Sequence, residues 1–161
     1  MRWLSYRLSV PLPQANCPEL EEFRHRAPVD SVILAYSSEN LMQASSMMGH
    51  VFLKLEGRDS GGVMRAHSVS YFTEIQGINV PKIIFDSLVV GKQGFFALTP
   101  YSEKLHYYLA GEQRNVWEYQ LKATPQQLAL LHDHLWELKQ TRFTYFFDDY
   151  NCATLLSYLL A

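Results

Sequence analysis

The 161-residue sequence is poor in cysteine, with only Cys17 and Cys152 far apart and no Cys-x-x-Cys pair. Neither a disulfide framework nor a paired-thiolate metal knuckle therefore organises it. Long apolar runs are missing: no stretch approaches the roughly 18 residues that mark a bilayer span. The first ten residues are broken by Arg2, Ser5, Arg7 and Ser9, so no export signal is recognisable there. Charge of one sign is also missing. Fourteen Lys+Arg face sixteen Asp+Glu, a net charge of −2 with a pI near 6.3, which excludes the basic face that nucleic acid requires. No G-x-S-x-G elbow and no glycine-rich phosphate loop occur, so Ser37, Ser38, Ser45 and Ser46 have no nucleophile context and no cofactor is implied.

What is present is a composition that is 48% hydrophobic and 19% charged, which describes a compact globular domain able to bury a core without a staple. Residues 1–29 form a lead-in with Pro11, Pro13, Pro18 and Pro28 and one short charged helix over Glu19 to Arg26; residues 30–161 form a single domain. Ser31 to Ser37 is a short β-branched and aromatic run, hence a buried strand. Residues 38–49 are a loop or broken helix ending at Gly49. His50 to Glu56 alternates, with Val51, Leu53 and Leu55 on one face, and pairs through the 57–62 turn with a strand over Val63 to Phe72. His50 and His67 thus belong to neighbouring strands.

Residues 73–94 are expected to be a surface connection. At least two of the aromatic segments 94–98, 101–109 and 115–123 are expected to be strands. Thr124-Pro-Gln-Gln127 is a capping box, and Leu128, Leu131, Leu135 and Leu138 follow at helical spacing. Phe143 to Phe147 is extended, and Asp148 to Asn151 cap an apolar helix that begins at Cys152.

A thiol in the first turn of a helix faces unpaired N–H groups and the positive end of the helix dipole, which favours thiolate. Cys152 is thereby placed as a nucleophile; the bland alternative is a small buried apolar residue. His50 is its candidate base and His67 the candidate third group, against the reading of a half-exposed strand histidine. His25, His106, His132 and His134 read as surface residues. Met42, Met47 and Met48 are core filler or the lining of an acyl pocket. A Cys152/His50/His67 zinc set is a further alternative.

Met48-Gly-His-Val-Phe-Leu-Lys-Leu55 and Tyr145-Phe-Phe-Asp-Asp-Tyr-Asn-Cys-Ala-Thr154 resemble the periplasmic amino-terminal domain of the Lnb-type lipoprotein N-acyltransferases. The resemblance spans about residues 30 to 161 and includes Leu135-Trp-Glu-Leu138. It implies an α+β, circularly permuted papain-like (NlpC-like) fold, with an antiparallel sheet packed on helices and the histidine strand ahead of the cysteine helix. It further implies Cys152 as nucleophile and His50 as base, with His67, Asn40, Ser46 or Asn151 as the additional polar group or oxyanion support. The activity implied is transfer of an acyl chain from a phospholipid or lipoprotein ester to an amine through a thioester. The implied compartment is the periplasm or cell envelope, with a lipid or lipoprotein substrate, association with a membrane surface or membrane-spanning regions, and no metal. The family's longer members continue past the cysteine helix, so a complete transferase is expected to need further segments. A cell-wall peptidase or amidase and a non-catalytic binding module of the same fold are the competing readings.

Overall fold

The computed structural model describes residues 8–9, 16–40, 49–73, 80–139 and 141–161. The first helix, α1 (Pro18–Arg26), starts at a proline and leads into β1 (Ser31–Ser37). The chain then forms β2 (His50–Arg58), β3 (Met64–Thr73), α2 (Val80–Phe85) with a π turn over Asp86–Val90, and β4 (Lys92–Pro100). Next come α3 (Tyr101–His106) with a π turn over Tyr107–Gly111, β5 (Val116–Leu121), α4 (Pro125–Leu138), β6 (Arg142–Tyr145) and α5 (Cys152–Leu160). The strands make one antiparallel six-stranded sheet in the order β5-β1-β2-β3-β4-β6, so the fold is α+β.

Both faces of the central strands are covered. Partners across a ladder point to the same face, so Val32, Leu53, Leu55 and Val69 share one, and they bury against Leu128, Leu131 and Leu135 of α4 and Leu156 of α5. The other face carries Ala35 and Phe52, which pack on Tyr101 and Tyr108 of α3 and its π turn. The period-2 alternation of β2 separates the two sets: leucines go to α4 and α5, whereas His50, Phe52 and Lys54 go to α3.

The hairpin of β2 and β3 is closed by Asp59, whose Oδ1 accepts from the N–H groups of Gly61 (3.0 Å) and Val63 (2.9 Å). The capping box of α4 is present as the sequence predicts: Thr124 Oγ1 accepts from the Gln127 N–H, and Gln127 Oε1 accepts from the Thr124 N–H at 2.8 Å. Cys17 and Cys152 are both free thiols.

Two expectations need correction. Within residues 73–94, positions 80–90 are helical rather than an irregular connection, and the turn ends at Gly91 with φ +79. Two of the three aromatic segments are strands as expected, 94–98 within β4 and 115–123 around β5; the third, 101–109, is helix, because Pro100 closes β4 and Tyr101 and Tyr108, two turns apart, both pack on Phe52. His132 is buried instead of exposed: Phe23 of α1 lies over it at 5.1 Å, and Arg24 bonds Asp133 beside it. Helix α1 is thereby docked on α4.

Gly57 of β2 is a close-approach position, since a Cβ there would meet the Pro28 carbonyl carbon and oxygen at 2.5 Å and the Val29 nitrogen at 2.7 Å. Backbone cannot swing aside as a side chain does. Gly57→Ala is expected to destabilise the fold by about 1–3 kcal/mol, the usual range for overpacking, measured as a lower urea midpoint with unchanged slope.

Candidate active site

Asn151 sets the start of α5. Its Oδ1 accepts from the N–H groups of Ala153 (3.0 Å) and Thr154 (3.2 Å), and its Nδ2 donates to the Phe147 carbonyl (3.0 Å). Such a cap contributes about 0.5–2 kcal/mol, and here it also decides which amide remains available. With the next two N–H groups taken, the one left at the mouth of the helix is that of Cys152, and it donates to the Tyr145 hydroxyl. Asn151 therefore acts as a cap that fixes Cys152. The amides expected to be unpaired over the first turn are thus bonded within the protein.

The histidine comes from the other side of the sheet. Gly49, at φ +57, allows the chain to enter β2 against Tyr36, whose ring would lie 2.8 Å from any Cβ at that position. His50 then stacks on Phe52 at 5.8 Å and lies 6.4 Å from the Tyr108 ring. Tyr108 is the shared neighbour. Its ring packs beside His50, and a thiolate at Cys152 contributes to the rise of its hydroxyl pKa, as it does at Tyr145; burial is the larger cause at both. Helix α5 packs on the leucine face and His50 lies on the Phe52 face, so Tyr108 is a ring neighbour of His50 and within electrostatic reach of Cys152. Among the described residues no hydrogen bond joins Cys152 and His50.

His67 does not join this cluster. It pairs with Leu55, five positions along β2 from His50, and so lies on the leucine face while His50 lies on the Phe52 face. Its Nδ1 is buried without a partner. The same divergence removes the zinc set of Cys152, His50 and His67, and no group of three metal-ligating side chains occurs among the described residues. Asn40 is tied in differently, donating from Nδ2 to the Glu112 carbonyl at 3.1 Å. Ser46, like Met42, Met47 and Met48, lies outside the described residues.

The charged groups around His50 were not legible as site residues. Glu112 and Arg114 form a buried ion pair of 2.7 Å, with side chains 5% and 4% exposed, and Tyr107 donates to the other Glu112 oxygen at 2.8 Å. Arg114 also donates to the Ser38 carbonyl and, at 3.3 Å, to the Ser37 carbonyl, while its guanidinium lies 5.0 Å from the Tyr108 ring centre. Lys104 lies over the same ring at 5.3 Å. The only sequence signal for this group is the spacing of Tyr101, Lys104 and Tyr108 along one helical stripe.

Electrostatics follow from this packing. Burial pushes the His50 pKa down to about 3, with Lys104 and then Arg114 adding to the fall and Glu112 opposing it. The imidazole is neutral at physiological pH and able to accept a proton. Because its folded pKa lies below the ordinary 6.5, His50 favours the fold fully above pH 6.5 and that contribution fades as the pH drops toward 3. Lys104 is itself pushed down, chiefly by burial, so an ammonium is held here against its solvation preference. Lys104→Met removes the larger of the two cationic influences. The His50 ring is expected to titrate at higher pH in that variant than in the parent, followed by its NMR carbon-bound proton shifts.

No curated protein and no solved structure matches the chain. The sequence profile of the Lnb N-terminal periplasmic domain matches residues 19–161, a span that begins within α1 and includes β2 with His50 and α5 with Cys152. No helix among the described residues is long and apolar enough to cross a membrane. The chain belongs to the family of the Lnb N-terminal periplasmic domain.

Proposed function

We propose that this periplasmic domain is a thiol-dependent acyltransferase of permuted papain-like architecture, with Cys152 as nucleophile and His50 as its base. The reading is carried by a cysteine in the capped first turn of α5 and a desolvated histidine that opens β2, with Tyr108 packed beside the histidine and within electrostatic reach of the thiol. The order of histidine strand before cysteine helix, across an antiparallel sheet, supports the architecture. The family's lipoprotein-processing context supports a lipid ester as the acyl donor.

The reaction runs in two steps. His50 takes the Cys152 proton as Sγ attacks the ester carbonyl of a phospholipid or lipoprotein, and the carbonyl π pair moves onto oxygen. The oxyanion takes the place of the Tyr145 hydroxyl as acceptor from the Cys152 N–H, and that hydroxyl turns to donate to it. Collapse of this intermediate breaks the ester C–O bond, His50 returns its proton to the departing alkoxide, and an acyl-thioester remains. An amine, such as the N-terminus of a lipoprotein, then attacks the thioester and gives its proton to His50, and the departing Sγ recovers it. Neutral His50 is the form this sequence needs at its start.

Incubating the protein with a short-chain phospholipid or activated ester, then measuring intact mass, tests the reading. The expected result is a single acyl adduct on Cys152, absent in Cys152→Ala, with adduct formation about 10²–10⁴-fold slower in His50→Ala, the usual weight of general acid–base catalysis. Full acyl transfer by Cys152→Ala, or an adduct mapping to another residue, refutes it.

A further inference from the structure

Lys104 is a cation placed beside the candidate site that makes no ion pair among the described residues, with Glu112 acting on it only at a distance. Its Nζ lies 5.3 Å from the Tyr108 ring centre and 5.6 Å from that of Phe72, and among the described residues no carboxylate lies within ion-pair distance of it. Glu112, the acid of this cluster, is already engaged by Arg114 and Tyr107. Taking an ammonium partly out of water without an anion is unfavourable, and two ring faces recover only part of that loss. Arg114 in the same cluster satisfies its donors within the protein, on Glu112 and on the Ser37 and Ser38 carbonyls. Lys104 has no equivalent partners, and Tyr108, the ring it sits on, is also the neighbour of His50.

We propose that Lys104 docks the phosphodiester of a glycerophospholipid that serves as acyl donor. The phosphate and the acyl ester share one glycerol, so a single molecule offers an oxyanion to Lys104 and an ester carbonyl to Cys152. A compact ammonium binds phosphate as a point charge and leaves the lipid free to turn its ester toward the thiol. The docked anion also supplies the negative charge that His50 lacks while it holds the thiol proton. The donor role rests on the acyl-transfer reading above; the docking itself does not require a working thiol.

Binding is therefore measured on Cys152→Ala protein by calorimetry. The probes are dihexanoylphosphatidylglycerol below its micelle concentration, dihexanoylglycerol and inorganic phosphate. Lys104→Met on this background is expected to weaken phospholipid binding at least tenfold, Lys104→Arg to restore most of it, and the diacylglycerol to bind weakly whichever residue stands at 104. The melting midpoint of Lys104→Met is expected to be no lower than the parent's, since an unpaired ammonium is removed, which separates lost docking from lost fold. Equal phospholipid binding with and without the Lys104 ammonium overturns the proposal, as does diacylglycerol binding as tight as that of the phospholipid. Lys104-dependent binding of inorganic phosphate as tight as that of the lipid overturns the donor assignment and leaves a free-phosphate site. A phospholipid that binds through Lys104 yet gives no acyl adduct on wild-type Cys152 refutes the thiol mechanism while the docking site stands.

Discussion

The buried Arg114–Glu112 pair is the interaction on which the end of the sheet bearing His50 depends. Arg114 ties the carbonyls at the end of β1 to Glu112, and Glu112 in turn holds Tyr107 and, through its backbone oxygen, Asn40. These bonds lock the π turn after α3 against the end of β1, whose last residue, Ser37, is the ladder partner of His50. Tyr108 lies in that π turn, so its position beside His50 is fixed by the ion pair rather than by its own hydroxyl. Breaking such a pair by removing one partner leaves an uncompensated buried charge, a loss of about 3–5 kcal/mol. The site is thus built from long-range contacts, even though its two reactive groups each sit in a locally recognisable setting.

That division explains how far the sequence could be read. Local chemistry was legible: the Thr124–Gln127 capping box, the strand at 31–37 and the helix that starts after Asn151 all follow from a few adjacent residues whose backbone preferences agree. The order of the His50 strand ahead of the Cys152 helix was legible through the family resemblance. His67 shows where the reading stops. Adjacent strands were inferred correctly, but a hairpin reading without a register gives neither offset nor face, and a one-residue difference in parity sends a side chain to the opposite side. Leu55↔His67 against Ser37↔His50 is that difference.

The helical identity of 101–111 was hidden for a related reason. Tyrosine and leucine favour neither state strongly, and the choice was made by the packing of Tyr101 and Tyr108 on Phe52, a strand residue about fifty positions earlier. That helix carries Lys104, so leaving the state of 101–109 open concealed the electrostatic environment of His50. The buried fate of His132 has the same origin, since it depends on α1 docking across α4.

Charge placement then separates two tasks that a cysteine–histidine pair often combines. A histidine flanked by carboxylates would carry a proton at rest and hold an ion pair with the thiol. Here burial, and after it Lys104 and Arg114, oppose that state, so the imidazole rests neutral. A negative charge arriving at Lys104 shifts the balance at His50 in the direction of proton uptake, at the moment when an ester carbonyl is also present. The aromatic walls strengthen this coupling, because Tyr108 and Phe72 keep the ammonium out of bulk solvent, where its field would be screened. In the proposed reaction, activation of the nucleophile then depends on occupancy of the site by the anionic donor.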